Sequence, residues 1–108
     1  MFDWYEPQPA LSCPACGTAL VEWQGKDGPC ASFVWRQGVA APVHQRADKA
    51  IRLSEDRRSR FALPETFSFY SYDCDQHGRI EARGSCVRGT WQRTELLPLR
   101  TSGFEIES

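Results

Sequence analysis

Two short stretches, Cys13-Pro14-Ala15-Cys16-Gly17 and Cys74-Asp75-Gln76-His77-Gly78, each place two soft metal ligands three positions apart and follow the second with glycine. On a tight turn this spacing aims both donor atoms at one ion, while amides of the turn donate to the thiolates. Glycine after the pair lets the chain fold back. Together, Cys13, Cys16, Cys74 and His77 form a Cys3His set suited to one tetrahedral Zn2+. Cys86 is an alternative to His77 as fourth ligand. A redox use of the first pair is disfavoured, because "CPACG" precedes a strand-like run instead of opening a helix. Cys30 reads as a buried thiol within a strand.

Four protein ligands fill a tetrahedral zinc, so the ion is expected to be structural, with no position open to water or substrate. Such sites contribute on the order of 10 kcal/mol to folding, so loss of one ligand is expected to unfold much of the domain.

The elements that must position these turns are mostly β. "TALVEWQ" (18–24) alternates and suits a strand leaving the first turn, and "GKDGP" (25–29) is turn chemistry. "CASFVWR" (30–36) would complete a hairpin with 18–24. "TFSFYSYD" (66–73) and "RIEARGSC" (79–86) flank the second ligand pair as a hairpin, with Ile80, Ala82 and Cys86 expected on one face. "GTWQRTELLPL" (89–99) supplies a further strand. Between them, Ser54 followed by Glu55, Asp56, Arg57, Arg58 and Arg60 carries the N-cap and charge order of a short helix, which Pro64 would end. Residues 1–12 read as an extended arm laying Phe2, Trp4 and Tyr5 on the body, and residues 100–108 as a flexible tail.

With its paired knuckles of the form C-P-x-C-G and C-x-x-H-G on β-hairpins, the chain resembles the zinc-ribbon class. The resemblance covers the knuckles and adjoining hairpins, and implies one structural zinc. It departs from the compact pattern in the 57 residues between Cys16 and Cys74, against roughly 15–20 in simple four-cysteine sites. An insertion spanning about residues 25–65 must separate the two turns.

Composition limits the function classes. At 108 residues, 41% hydrophobic and 25% charged, the chain suits one small domain, 1–108, which gains from a metal staple. A net charge of -1 gives no general pull toward nucleic acid or anionic membrane. No run is long enough to span a bilayer, and "MFDWYEPQPA" has no signal-peptide pattern, so the expected location is the cytoplasm, where thiols stay reduced.

Two other segments compete for a role. Residues 23–38 hold Trp23, Lys26, Asp27 and Trp35 around a turn, either as a recognition surface or, for the tryptophans, as core of a domain with little else to bury. The "GKDG" loop lacks the frame of a P-loop. Arg46, Arg52, Arg57, Arg58 and Arg60 offer a basic segment for an acidic partner or for phosphates, or a solvated face with internal pairs such as Asp56 with Arg60. No nucleophile triad, carboxylate pair or hydrolase motif is found.

The expected protein is therefore a single α+β, mostly β domain with antiparallel strands, a zinc-ribbon-like site and one short helix. Its expected role is non-catalytic: protein–protein contact, as an adaptor or a small inhibitor or immunity-type protein. A nucleic-acid-binding ribbon using 46–60 is the alternative, and a zinc enzyme would require an open ligand position.

Overall fold

The computed structural model describes residues 2–46 and 52–98. Nine strands and one helical turn follow in order: β1 (Asp3–Glu6), β2 (Leu11–Ser12), β3 (Ala19–Leu20), β4 (Trp23–Gly25), β5 (Phe33–Arg36), β6 (His44–Gln45), α1 (Glu55–Arg58), β7 (Thr66–Cys74), β8 (Gly78–Val87) and β9 (Thr90–Leu96). Seven of them form one sheet in the order β6-β5-β1-β4-β7-β8-β9, and β2 pairs with β3 in a separate ribbon. The fold is mostly β, as its alternating sequence predicts.

The C-terminal strands follow the reading closely. β7 and β8 pair antiparallel from Thr66 opposite Ser85 to Cys74 opposite Gly78, and β8 continues antiparallel to β9. Inward positions on β8 are Ile80, Ala82 and Gly84, all buried. Cys86, expected on this face, is half-buried and packs against the core, while a bulge opposite it, with Gln92 as the extra residue on β9, shifts the β8–β9 register. A side chain at Gly84 would overlap the ring of Phe67, so only glycine lets that ring lie flat on β8. α1 also forms as expected. Ser54 Oγ accepts from the Arg57 amide at the N-cap, with Glu55 and Asp56 in the first turn. The helix ends at Arg58, well before Pro64.

The N-terminal half departs from expectation. Residues 3–6 are no surface arm: β1 lies inside the sheet, antiparallel to β4 on one side and parallel to β5 on the other. The expected hairpin between 18–24 and 30–36 is thereby ruled out, since β1 separates those strands. The cause is Asp3, fully buried, whose carboxylate accepts from the amides of Cys30 (3.2 Å), Ala31 (2.9 Å) and Phe33 (3.0 Å) and from the Trp35 indole (3.0 Å). These bonds hold the 28–33 loop, in which Cys30 and Ser32 adopt positive φ, against β1. The single strand expected over 18–24 is two, β3 and β4, broken at Val21 and Glu22, where the Asp73 carboxylate accepts both amides at 2.7 and 2.8 Å.

The buried face of the sheet is aromatic. Tyr5, Trp23, Phe33, Trp35, Phe67, Phe69 and Trp91 are each at most 2% exposed, so the core is built from few, large side chains. Tyr5 stacks on Phe69 at 5.1 Å, and Trp91 meets Phe67 edge-on at 5.2 Å. The sheet curls around these rings: the Gly38 amide, just past β5, donates to the Trp91 carbonyl at 2.7 Å, bringing the β9 edge back toward the first strands. The basic segment is described only in part, because residues 47–51 lie outside the described residues. So does the tail expected over 100–108.

Candidate metal site

The β2–β3 ribbon carries the first ligand pair in its turn. The Cys13 amide donates to the Thr18 carbonyl at 2.8 Å, and the Gly17 amide to the Cys13 carbonyl at 2.9 Å. Gly17 sits at φ +81°, a left-handed position that closes this turn without Cβ strain. The β7–β8 hairpin carries the second pair, with Cys74 at the end of β7 and Gly78, at φ +65°, opening β8. Both glycines of the sequence motif therefore have the conformation that makes them necessary.

The two turns face one another. One donor atom from each of Cys13, Cys16, Cys74 and His77 lies within 4.8 Å of every other. Cys16 Sγ is 3.5 Å from Cys74 Sγ, Cys13 Sγ is 3.5 Å from His77 Nδ1, and Cys74 Sγ is 3.3 Å from that nitrogen. Tetrahedral zinc with bonds of about 2.3 Å to sulfur and about 2.0 Å to nitrogen sets its ligand atoms roughly 3.5–3.8 Å apart. These three separations are close to those of a tetrahedral site, and the four residues could hold a metal.

Burial and hydrogen bonding differ across the cluster. Cys13 and Cys74 are buried, His77 is half-buried and Cys16 is exposed. Burial pushes the Cys13 thiol up, against the amides of Ala15 and Cys16 that pull it down. The Thr18 hydroxyl, 3.1 Å from Cys16 Sγ, and the Thr18 amide hold the Cys16 thiol below its ordinary value. Burial raises Cys74, but the amides of His77 and Gln76 and the neighbouring thiols outweigh it, so its net shift is downward. Turn amides and a hydroxyl directed at sulfur favour the thiolate, the form that binds metal.

Sequence spacing identified all four members of this cluster. Cys86, the alternative ligand, is not in it, and neither is Cys30, whose thiol donates to the Lys26 carbonyl at 3.2 Å. What spacing did not reveal is the support around the cluster: Thr18 on Cys16, and Asp73, beside Cys74, clamping Val21 and Glu22. The amides of Glu22 and Val21 and the Ser71 hydroxyl hold the Asp73 carboxyl below its usual value despite an opposing effect of burial. Thr18 and Asp73 were legible only as polar residues adjoining ligands.

The other candidates scatter. Trp23 and Trp35 are core residues, with indole N–H groups donating to the Leu20 carbonyl and to Asp3, so neither belongs to a recognition surface. Lys26 is exposed. Asp27 is exposed as well, and its carboxylate accepts from the Ser68 amide at 2.8 Å, pinning the 25–29 turn to β7. Arg57 and Arg60 are exposed, Arg58 is half-buried, and Arg60 pairs with Asp56 at 3.4 Å. Arg46 pairs with Glu22 at 3.3 Å and stacks on the Trp4 ring. Among the described residues, no helix is long and apolar enough to cross a membrane.

No protein-family model matches this chain, and no significant match was found among curated proteins or solved structures.

Proposed function

We propose that the chain is a zinc-stabilised, non-catalytic binding module of zinc-ribbon type that works through contact with another protein. The observation that carries this reading is the convergence of Cys13, Cys16, Cys74 and His77 from two separate hairpins. Three thiolates and an imidazole favour zinc over the hard cations, which take oxygen ligands. Bound by all four, zinc has no open coordination position and acts as a cross-link rather than as a Lewis acid. The chemistry it supplies is then mechanical: it ties the β2–β3 turn to the β7–β8 turn. The nucleic-acid alternative draws less support, because Arg46 and Arg60 are engaged by Glu22 and Asp56.

Metal content and X-ray absorption of protein purified without added zinc test this reading. One zinc per chain with three sulfurs and one nitrogen is expected, retained in Cys86→Ser and lost in Cys74→Ala and His77→Ala. An oxygen ligand in place of a protein donor would turn the site toward hydrolytic chemistry and sink the closed-site reading.

A further inference from the structure

The seven-stranded sheet has two edges. β6 is two residues long, too short to template anything, whereas β9 runs from Thr90 to Leu96 with β8 on one side only. Its first part is already covered, since the Trp91 carbonyl accepts from the Gly38 amide and the Gln92 carbonyl from Gln37 Nε2 at 2.8 Å. Beyond that point the Thr94 hydroxyl still donates to Gln37 Oε1 at 2.8 Å, but the backbone edge is open. The Leu97 amide donates to the Glu81 carbonyl, toward β8, and backbone direction alternates along an antiparallel strand, so Thr94 and Leu96 turn their N–H and C=O groups outward. Among the described residues none meets those backbone groups.

Two clefts flank this open stretch. One, of about 540 Å³, is lined by Gln8, Leu11, Gln37, Arg83, Arg93 and Glu95 among others. Arg83 and Arg93 are exposed and have no ion-pair partner among the described residues, so the cleft carries two positive charges against the one of Glu95. The other, of about 400 Å³, is apolar and lies at the end of the strand, between Leu96, Leu97 and Pro98 and the Pro14–Ala15 segment of the first ligand turn. An exposed edge with unpaired backbone groups is a site for strand addition. Main-chain bonds supply affinity and flanking pockets supply selectivity.

We propose that the open edge of β9 binds an extended peptide segment of a partner protein, adding it as an eighth strand. The partner's main chain pairs with Thr94 and Leu96, an acidic side chain meets Arg83 and Arg93, and an apolar side chain enters the Pro14–Leu97 cleft. Successive side chains of a strand alternate in direction, so acidic and apolar residues are read at set positions of the peptide. This inference rests on the protein-contact reading above and names the partner chemistry and the surface.

The probe is a phage-displayed library of random dodecapeptides panned against the intact, metal-loaded protein, with selected peptides resynthesised carrying N-methyl groups at either alternate set of amides. The expected peptides contain aspartate or glutamate together with an apolar residue. One N-methyl set abolishes binding and the other is tolerated. Binding weakens about tenfold or more in Arg83→Glu/Arg93→Glu and as salt rises, and saturation with peptide slows amide exchange at Thr94 and Leu96 about tenfold or more. Peptides without acids, tolerance of both N-methyl sets, unchanged exchange at these amides or no selected peptide would each overturn the proposal. So would self-association of the chain through this edge, seen by sedimentation as dimers that the double variant dissolves. Zinc content measured on the same sample separates the two readings: a failed selection on protein with a closed zinc site removes the β9 edge alone, whereas an open site removes the module reading itself.

Discussion

At the scale of single residues, the most consequential side chain outside the metal cluster is Asp3. It accepts from three loop amides and an indole, and its bonds to the Phe33 amide and the Trp35 indole are fully buried. Asp3→Ala leaves those donors unsatisfied and is expected to cost about 3 kcal/mol or more, whereas Asp3→Asn, which keeps one acceptor, costs less. Urea unfolding of the two variants checks the order. Tyr5 behaves in the opposite way. Its hydroxyl is buried and makes no hydrogen bond of good geometry, and burial, reinforced by the charges of Asp3, Asp27 and Cys30 and only partly opposed by the Gly28 backbone, raises its pKa well above the ordinary 10. The folded chain therefore keeps a proton that the unfolded chain releases. Below about pH 10 this difference has no effect on stability, and above it stability falls by up to about 1.4 kcal/mol per pH unit. Tyr5→Phe is expected to flatten that alkaline slope and to leave stability at neutral pH unchanged or higher, read from urea midpoints between pH 8 and 11.

At the scale of elements, the fold depends on how closely strands can approach their neighbours' rings. Phe67 on β7 lies over Gly84 on β8, where even a methyl group would overlap it. Because Phe67 is itself packed by Tyr5, Phe69 and Trp91, the ring has nowhere to move. Gly84→Ala is therefore expected to destabilise by about 1–3 kcal/mol, as overpacked cores do, with a lowered thermal midpoint as the measurement. The β2–β3 ribbon depends on different contacts. Only two residues long on each side, it is held by Leu20 in the core and by Asp73 below its exit, and its turn carries two of the four candidate metal ligands.

At the scale of the whole molecule, Cys13 and Cys74 adjoin the core, but the ring contacts themselves involve none of the four candidate ligands, so core and metal cluster should fail separately. The sequence led to the expectation that losing one ligand would unfold much of the domain. Given the ring contacts that join β1, β4, β7 and β9, metal removal is expected to act locally first. On adding a zinc chelator, amide exchange should accelerate by an order of magnitude or more over residues 13–20 and 74–78 while β1 and residues 67–71 of β7 stay protected. Simultaneous loss of protection everywhere would show instead that the ion holds the core together.

What the sequence determined by itself is what depends on neighbours along the chain. The ligand pairs with their glycines, the Ser54 cap, the β7–β8 hairpin and the presence of a strand after it are set by turn chemistry and by period-two alternation, and both are readable over a few residues. What only the tertiary structure decided is what depends on segments far apart. Asp3 interrupts the alternation of β1 with an acid pointing inward, so that strand looks like an arm until its donors, 27 to 32 residues away, are in place. Trp23 and Trp35 could have been surface or core until the sheet curled over them. The meeting of Cys16 with Cys74 was legible because ligand chemistry has its own spacing code. The open edge of β9 was not, because a free hydrogen-bonding edge is defined by the strand that is missing beside it, which no local pattern records.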